Sequence, residues 1–490
     1  MTEGFRAGFT LDFFFVFRQM DRHRRPTTKG GMMRRRGVGA VALGLLMGTH
    51  GVAFAASTES RLQALEELVR QQQAEIKQLR GELKQQKAIG TATQQQAERA
   101  EEQSKAVEKK ATASIPDWVN KFTPFGDIRI RQEGFYNQPT PKGGGKKTVA
   151  RNRTRFRWRL GLKYAYSDEL SATFRIASGN PDDPISTNET FDGSFSRKNV
   201  NADWAYITVA PGKSFNMRPG LLTINAGKFP NPMFRVGEMV FDDDLSPEGF
   251  NETLQLLKEP CGPLDQLKIH AQQWTFREVS DGGDGWMFGG QINPTSHIGD
   301  VQLEAGLAQY WWRNADLIAQ NGNTNSTLKG SISQNRLITE TVDGKSMITG
   351  FESGFNQSNL TVAGTIPNVA GTMPLKVFGD YVHNWDAEHG SEANGAMGGL
   401  RLGNPKEAGD WAGAAYYEYL EHDATIGAFS FSDFGLGGTN QQGPVLQFDY
   451  QLFKPLTVRA TGYFTKFVEA PTDMNNRMQV RFQLDAMLRF

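Results

Sequence analysis

The chain has 490 residues, a formal net charge of +1, 11% aromatic residues and a mean hydropathy of −0.49. No apolar run approaches the roughly 18 residues of a spanning helix, which argues against a helical membrane protein; a β-barrel crosses with alternating residues and reads as a polar sequence. Residues 1–55 hold nine Lys or Arg against three acids, so the rest of the chain is mildly acidic, which argues against nucleic acid as a partner.

In chain order, the first recognisable element is an export signal. Arg34-Arg35-Arg36 precede an apolar or glycine run from Val38 to Met47, and Ala53-Phe54-Ala55 forms an A-x-A cleavage site ahead of Ala56. A charged n-region, a short apolar core and a small-residue site define a secretory signal peptide. Such signals begin near the first residue, so residues 1–31 are read as a mis-annotated N-terminal extension. Translation is then expected to start at Met32 or Met33, residues 32–55 are the signal peptide, and Ala56 opens the mature chain.

Residues 56–90 turn helical. Leu62, Val69, Ile76 and Leu83 recur every seven residues, and Leu65, Gln72, Leu79 and Gln86 fill the second heptad position. An apolar a position and a half-apolar d position predict a short coiled coil in the periplasm. The second reading is a lone amphipathic helix folded onto the barrel or plugging it. Residues 91–115 are Gln, Ala, Glu, Lys and Thr with almost no large apolar residue, a polar linker that Pro116 ends.

From there to the end the period is two. Val480, Phe482, Leu484, Ala486, Leu488 and Phe490 alternate with Gln479, Arg481, Gln483, Asp485, Met487 and Arg489. In a strand these sets point to opposite faces. The pattern recurs at 155–163, 170–176, 446–452 and 458–465, and more weakly at 286–292, 301–308, 360–366, 375–383 and 411–420. Turn-rich gaps separate these runs, and residues 314–346 suit a long extracellular loop. A soluble sandwich also alternates, but the signal peptide, the terminal Phe490 and the clusters Tyr310-Trp311-Trp312 and Tyr416, Tyr417, Tyr419 favour lipid and its aromatic girdles. At roughly 22 residues per strand with its connection, residues 116–490 predict an all-β transmembrane antiparallel barrel of about 16 strands, between 14 and 18.

Several stretches of this segment carry a family resemblance: FGDIRIRQEG (125–134), RNRTRFRWRLGLKYAYSDELSATFRIASG (151–179), DWAYI (203–207), NAGKFPNPM (225–233) and the terminal RFQLDAMLRF (481–490). With them, residues 116–490 resemble a family of Gram-negative outer-membrane porins. The resemblance implies a pore, and it makes Phe490 an assembly signal for the barrel-assembly machinery. It names no substrate.

The chemistry of the candidate pore lies in one strand. Arg151, Arg153, Arg155, Arg157 and Arg159 occupy every second position and should line the lumen, with Arg175 nearby. Guanidiniums in a pore attract anions; the plainer reading is a ladder paired with wall carboxylates that keeps the channel wet. Asp242, Asp243 and Asp244 form an acidic, loop-like stretch, either an ordinary solvated loop or a constriction facing the arginines. Asp281 to Gly285 reads as a turn rather than a Ca²⁺ loop. The histidines sit in no nucleophile elbow, HExxH or other metal spacing, and Cys261 alone supports neither a disulfide nor a cysteine metal site. No enzyme, cofactor or metal is expected. The expected function is passive diffusion of small hydrophilic solutes or anions across the outer membrane of a Gram-negative bacterium, as a homotrimer. The alternatives are an anchor tethering the cell wall through the coiled coil, and a channel specific for phosphate or organic anions.

Overall fold

The computed structural model describes residues 66, 67, 69, 70, 73, 74, 76–81, 84, 116, 118–139, 147–472 and 474–490. The expected extension (1–31), signal peptide (32–55) and linker (91–115) lie outside the described residues. The chain divides into two compact units, residues 1–105 and 106–490. In the first, every described residue between 66 and 84 is helical and exposed, and Val69, Ile76 and Leu79 leave 46, 51 and 57% of their surface open. Those three stand at a or d positions of the heptad pattern read from the sequence.

The second unit is a closed antiparallel barrel of 16 strands. They are β1 (Phe122–Pro139), β2 (Thr148–Ala165), β3 (Leu170–Ala177), β4 (Asn201–Val209), β5 (Leu222–Lys228), β6 (Glu248–Leu257), β7 (Leu264–Arg277) and β8 (Gly285–Ile298). The second half comprises β9 (Val301–Arg313), β10 (Asn356–Ala370), β11 (Met373–Asn384), β12 (Asn394–Leu402), β13 (Trp411–Leu420), β14 (Gln441–Phe453), β15 (Leu456–Phe467) and β16 (Gln479–Arg489). Each pairs with its neighbours in the chain, and β1 pairs with β16 from Asp127↔Arg489 to Tyr136↔Val480, so no edge remains. A two-residue strand, Glu189–Thr190, adds itself to β2 from the loop between β3 and β4. Closure matters in lipid, where an unpaired backbone N–H or C=O finds no water.

Period two then sorts the side chains. Ile128, Ile130, Leu160, Phe174, Leu446, Phe448, Phe482 and Leu484 face outward and are exposed, a band of apolar surface suited to lipid. The inward positions of the same strands are polar and buried, among them Asp127, Arg131, Arg157, Arg175, Asp449 and Asp485.

Two aromatic clusters expected at the lipid interface are split by this alternation. Trp311 and Tyr417 are exposed on the outer face, whereas Tyr310 and Trp312 are buried inside the barrel, and Tyr416 packs against the same interior. They face the lumen because a loop fills it there with apolar side chains. The long loop at 314–355 is also more ordered in secondary structure than its composition indicates. It carries α1 (Asp316–Asn321), α2 (Ser326–Ile332) and a hairpin, Leu337–Val342 with Lys345–Phe351.

Candidate functional site

The GKFPNP stretch explains how a loop enters the barrel. Gly227, next to the end of β5, has φ 126° and stands opposite Gly249 of β6 at φ 140°. A Cβ on either would lie 2.3 or 2.1 Å from a carbonyl oxygen of the adjacent strand, so only glycine makes this exit. The Phe229 amide donates to Pro247 O (3.0 Å) and closes the root of loop 229–247. Inside, Gln291 of β8 bonds the Phe234 backbone in both directions, accepting its N–H (2.9 Å) and donating to its carbonyl (3.0 Å). Phe241 packs on Trp274 and Tyr310 at 5.5 and 5.2 Å between ring centroids. The apolar half of this inner loop therefore lies on the β7–β9 wall.

Its acidic end meets the opposite wall. On β2, Arg153, Arg155, Arg157 and Arg159 are largely withdrawn from solvent and Arg151 is exposed. Arg157 and Arg159 each pair with Asp127 of β1, at 2.8 and 2.6 Å, and with Asp244 of the inner loop, at 3.4 and 3.0 Å. Arg175 of β3 pairs with Asp203 of β4 (2.5 Å) and its guanidinium lies 3.3 Å from the centre of the Trp204 ring. Of the three consecutive aspartates, Asp244 alone reaches the arginine column. Asp242 is buried and accepts from the amides of Ser432 and Asp244, and exposed Asp243 pairs with Arg235.

The larger part of the wall was not legible in the β2 pattern. Arg129, Arg131 and Glu133 on β1 and Arg481 and Asp485 on β16 are all buried and share this face. Arg131 pairs with Asp485 (2.7 Å) and with Asp433 (2.6 Å), and Arg481 pairs with Glu133 (2.9 Å) and Asp433 (2.6 Å). Asp433 belongs to a second inner loop, 421–440, whose Phe429 stacks on Trp312 with ring centroids 5.4 Å apart. The two loops are tied to one another, since Asp242 N donates to Phe429 O (2.8 Å). Both span the lumen from an apolar wall to the arginine wall.

Compensation along that wall is uneven. Glu133 serves Arg153, Arg155 and Arg481 at 3.1, 3.7 and 2.9 Å. Arg129 reaches Asp485 only at 3.8 Å, and the Nε atoms of Arg129, Arg153, Arg155 and Arg481 are buried without a partner. Among the described residues, guanidiniums outnumber carboxylates on this face, and the least compensated are Arg129, Arg151 and Arg155.

Burial works against ionisation of Asp244, but Arg157, Arg159 and Arg129 outweigh it and hold the carboxyl at about 2. Asp433 behaves alike: burial opposes its charge, and Arg131 and Arg481 keep it well below the usual carboxylate range. A carboxyl held low when folded contributes stability above its unfolded value, near 4, and loses it as the pH falls through the folded value. The difference in melting temperature between wild type and Asp244→Asn should therefore persist from pH 8 to about pH 4 and vanish towards pH 2. A difference already gone at pH 5 would show that Asp244 is not clamped by the arginines.

Beside Asp244 a cavity of about 530 Å³ opens between the walls, lined by Asp203, Trp274, Phe276, Trp312 and Phe429 among others. Asp284 Oδ1 accepts from Val279 N (3.0 Å) and shapes a turn. Phe490 exchanges both backbone hydrogen bonds with Gly126, at 2.9 and 3.1 Å, and leaves its side chain exposed on the outer face.

A closed barrel with an apolar outer face, a charged inner wall and loops folded into its lumen is a transmembrane β-barrel of the channel class. A family described as "putative porin" matches residues 135–317 and 313–490. The chain belongs to this family, and membership points to a channel rather than an enzyme. Among solved structures, the chain is similar to Pseudomonas putida OprB at high pH, with 12% identity, a TM-score of 0.47, and coverage of 76% of this chain and 96% of that one. Similarity extends to Salmonella typhi OmpF in complex with daunomycin, with 10% identity, a TM-score of 0.43, and coverage of 77 and 99%. In-vitro folded OmpT of Vibrio cholerae, in its trimer form, is 9% identical with a TM-score of 0.39 and coverage of 75 and 99%. No curated protein sequence matches the chain.

Proposed function

We propose that this protein is a diffusion channel for small hydrophilic solutes in the outer membrane of a Gram-negative bacterium, with a preference for anions. One observation carries the reading: inward guanidiniums outnumber carboxylates on β1–β3 and β16, inside a barrel whose outer face is apolar. An under-compensated guanidinium on a lumen wall raises the local concentration of anions and repels cations. Arg129, Arg151 and Arg155 supply that excess, while Arg157 and Arg159 chiefly hold loop 229–247 in place. The test is reversal potential across a planar bilayer under a salt gradient. Arg151→Ser with Arg155→Ser should move selectivity towards cations while changing the melting temperature little. Unchanged selectivity would leave the arginines a structural role only.

The anchor reading is separated by the same apparatus, since a plugged anchor carries no current. A channel specific for phosphate or organic anions would show solute block.

The signal peptide at 32–55 places the mature chain in the periplasm for insertion, and the coiled coil at 56–90 remains there. Its seam is too weak to hold helices together alone, so it reinforces a homotrimer fixed by barrel contacts. Removing residues 56–90 should lower the melting temperature of the trimer and leave single-channel conductance nearly unchanged. Equal melting with and without the segment would remove its role in assembly.

A further inference from the structure

Three loops meet at the end of the barrel from which the inner loops enter: 385–393, 421–440 and 468–478. Each brings one metal-binding side chain, Glu392, His422 and Glu469, and their ligand atoms lie within 4.8 Å of one another. The histidine is the informative member. Its side chain is only 9% exposed, and its Nδ1 faces the carbonyl oxygen of Gln334. A carbonyl only accepts, so Nδ1 carries the proton and, in the neutral ring, Nε2 presents its lone pair. That Nε2 is buried, has no hydrogen-bond partner, and points at the carboxylates, 3.5 Å from Glu469 Oε2. A ring nitrogen fixed by a backbone carbonyl on its other side is the usual support of a metal-ligating histidine.

A cation already sits against the two acids. Arg336, from loop 314–355, donates through Nε to Glu392 (2.8 Å) and through Nη2 to Glu469 (2.7 Å). Its charge offsets one of the two carboxylates and leaves the cluster net negative. Arg336 cannot satisfy Nε2, because a guanidinium approaching a ring lone pair must first leave the carboxylates. A divalent ion satisfies all three groups at once.

We propose that Glu392, His422 and Glu469 form a binding site for a divalent transition-metal ion, Zn²⁺ being the best match to one imidazole and two carboxylates with water completing the shell. Binding requires the three groups to close in on the ion and Arg336 to yield its place. The ion ties loop 421–440, which carries Asp433, to its two neighbours. No motif announces the site, since its ligands stand 30 and 47 residues apart in the chain.

The test is calorimetric titration of Zn²⁺ into the full-length, detergent-solubilised protein, with the heat-modifiable band on gels as the check on folding. Wild type should bind one equivalent saturably. His422→Ala and Glu469→Gln should each weaken binding at least about tenfold, the second variant covering the case in which the first fails to fold. Arg336→Ala should tighten it, since a competing cation is removed. His297→Ala, which alters the exposed His297–Asp265 pair, should change nothing. No saturable equivalent in wild type, binding unaffected by His422→Ala and Glu469→Gln, or binding lost in His297→Ala would each overturn the site and leave the cluster as a network of salt bridges.

Discussion

Replacing Asp244 and Asp433 together by Asn should raise single-channel conductance, strengthen anion selectivity and lower the melting temperature, all in one variant. Asp244 holds the first inner loop to Arg157 and Arg159, and Asp433 holds the second to Arg131 and Arg481. Removing one partner of a buried ion pair costs about 3–5 kcal/mol, because a desolvated charge is left behind. The lower end applies to each site here, since Asp127, Asp485 and Glu133 remain to compensate the same arginines. The freed guanidiniums add positive charge to the lumen, and the loops keep only their apolar anchors at Phe241 and Phe429. Because Asp242 links the loops, the two single replacements should fall short of the double in conductance. A double variant with wild-type conductance and selectivity would mean that permeation does not pass between these loops and the arginine wall.

Deleting Phe490 should reduce the assembled fraction by about tenfold or more, whereas deleting one residue of loop 468–478 should leave it near wild type. The last residue is a structural closure as well as a candidate assembly signal. Its N–H and C=O are paired with those of Gly126, and its loss strips both partners from β1 at the seam where the barrel closes. An unsatisfied backbone group costs roughly 1–3 kcal/mol, and more where lipid replaces water. Phe490→Ala separates the two roles, for it keeps both hydrogen bonds and loses only the ring that lies over Gly126. If Phe490→Ala assembles well, strand closure sets the effect; if it fails as badly as the deletion, recognition of the ring does. Normal surface levels of the deletion would dismiss both.

Local alternation was enough to read the barrel. Hydrophobic period two survives in any strand whose faces meet lipid and a wet lumen, so Val480 to Phe490 and Leu170 to Ile176 declared themselves without reference to the rest of the chain. The strands β4, β5 and β12 were among those that did not: Trp204 and Tyr206 put aromatic rings on the inner face of β4, and Gly and Asn thin the contrast on β5 and β12. The inward direction of Arg151 to Arg159 also followed from period two alone.

What neutralises those arginines could not follow from it. Asp433 stands 302 residues from Arg131, and Asp244 stands 85 from Arg159, so each partnership exists only once the sheet has closed and the loops have folded inward. The same closure decides which side of Tyr310-Trp311-Trp312 meets lipid: alternation separates Trp311 from its neighbours, but only the inner loop supplies Phe241 as the apolar partner that makes a buried Tyr310 and Trp312 favourable inside a channel. The sequence by itself determined strand, face and barrel, because these depend on neighbours two residues apart. The tertiary structure decided charge compensation, the path of the loops and the His422 cluster, because these depend on groups that meet only across the lumen or between loops.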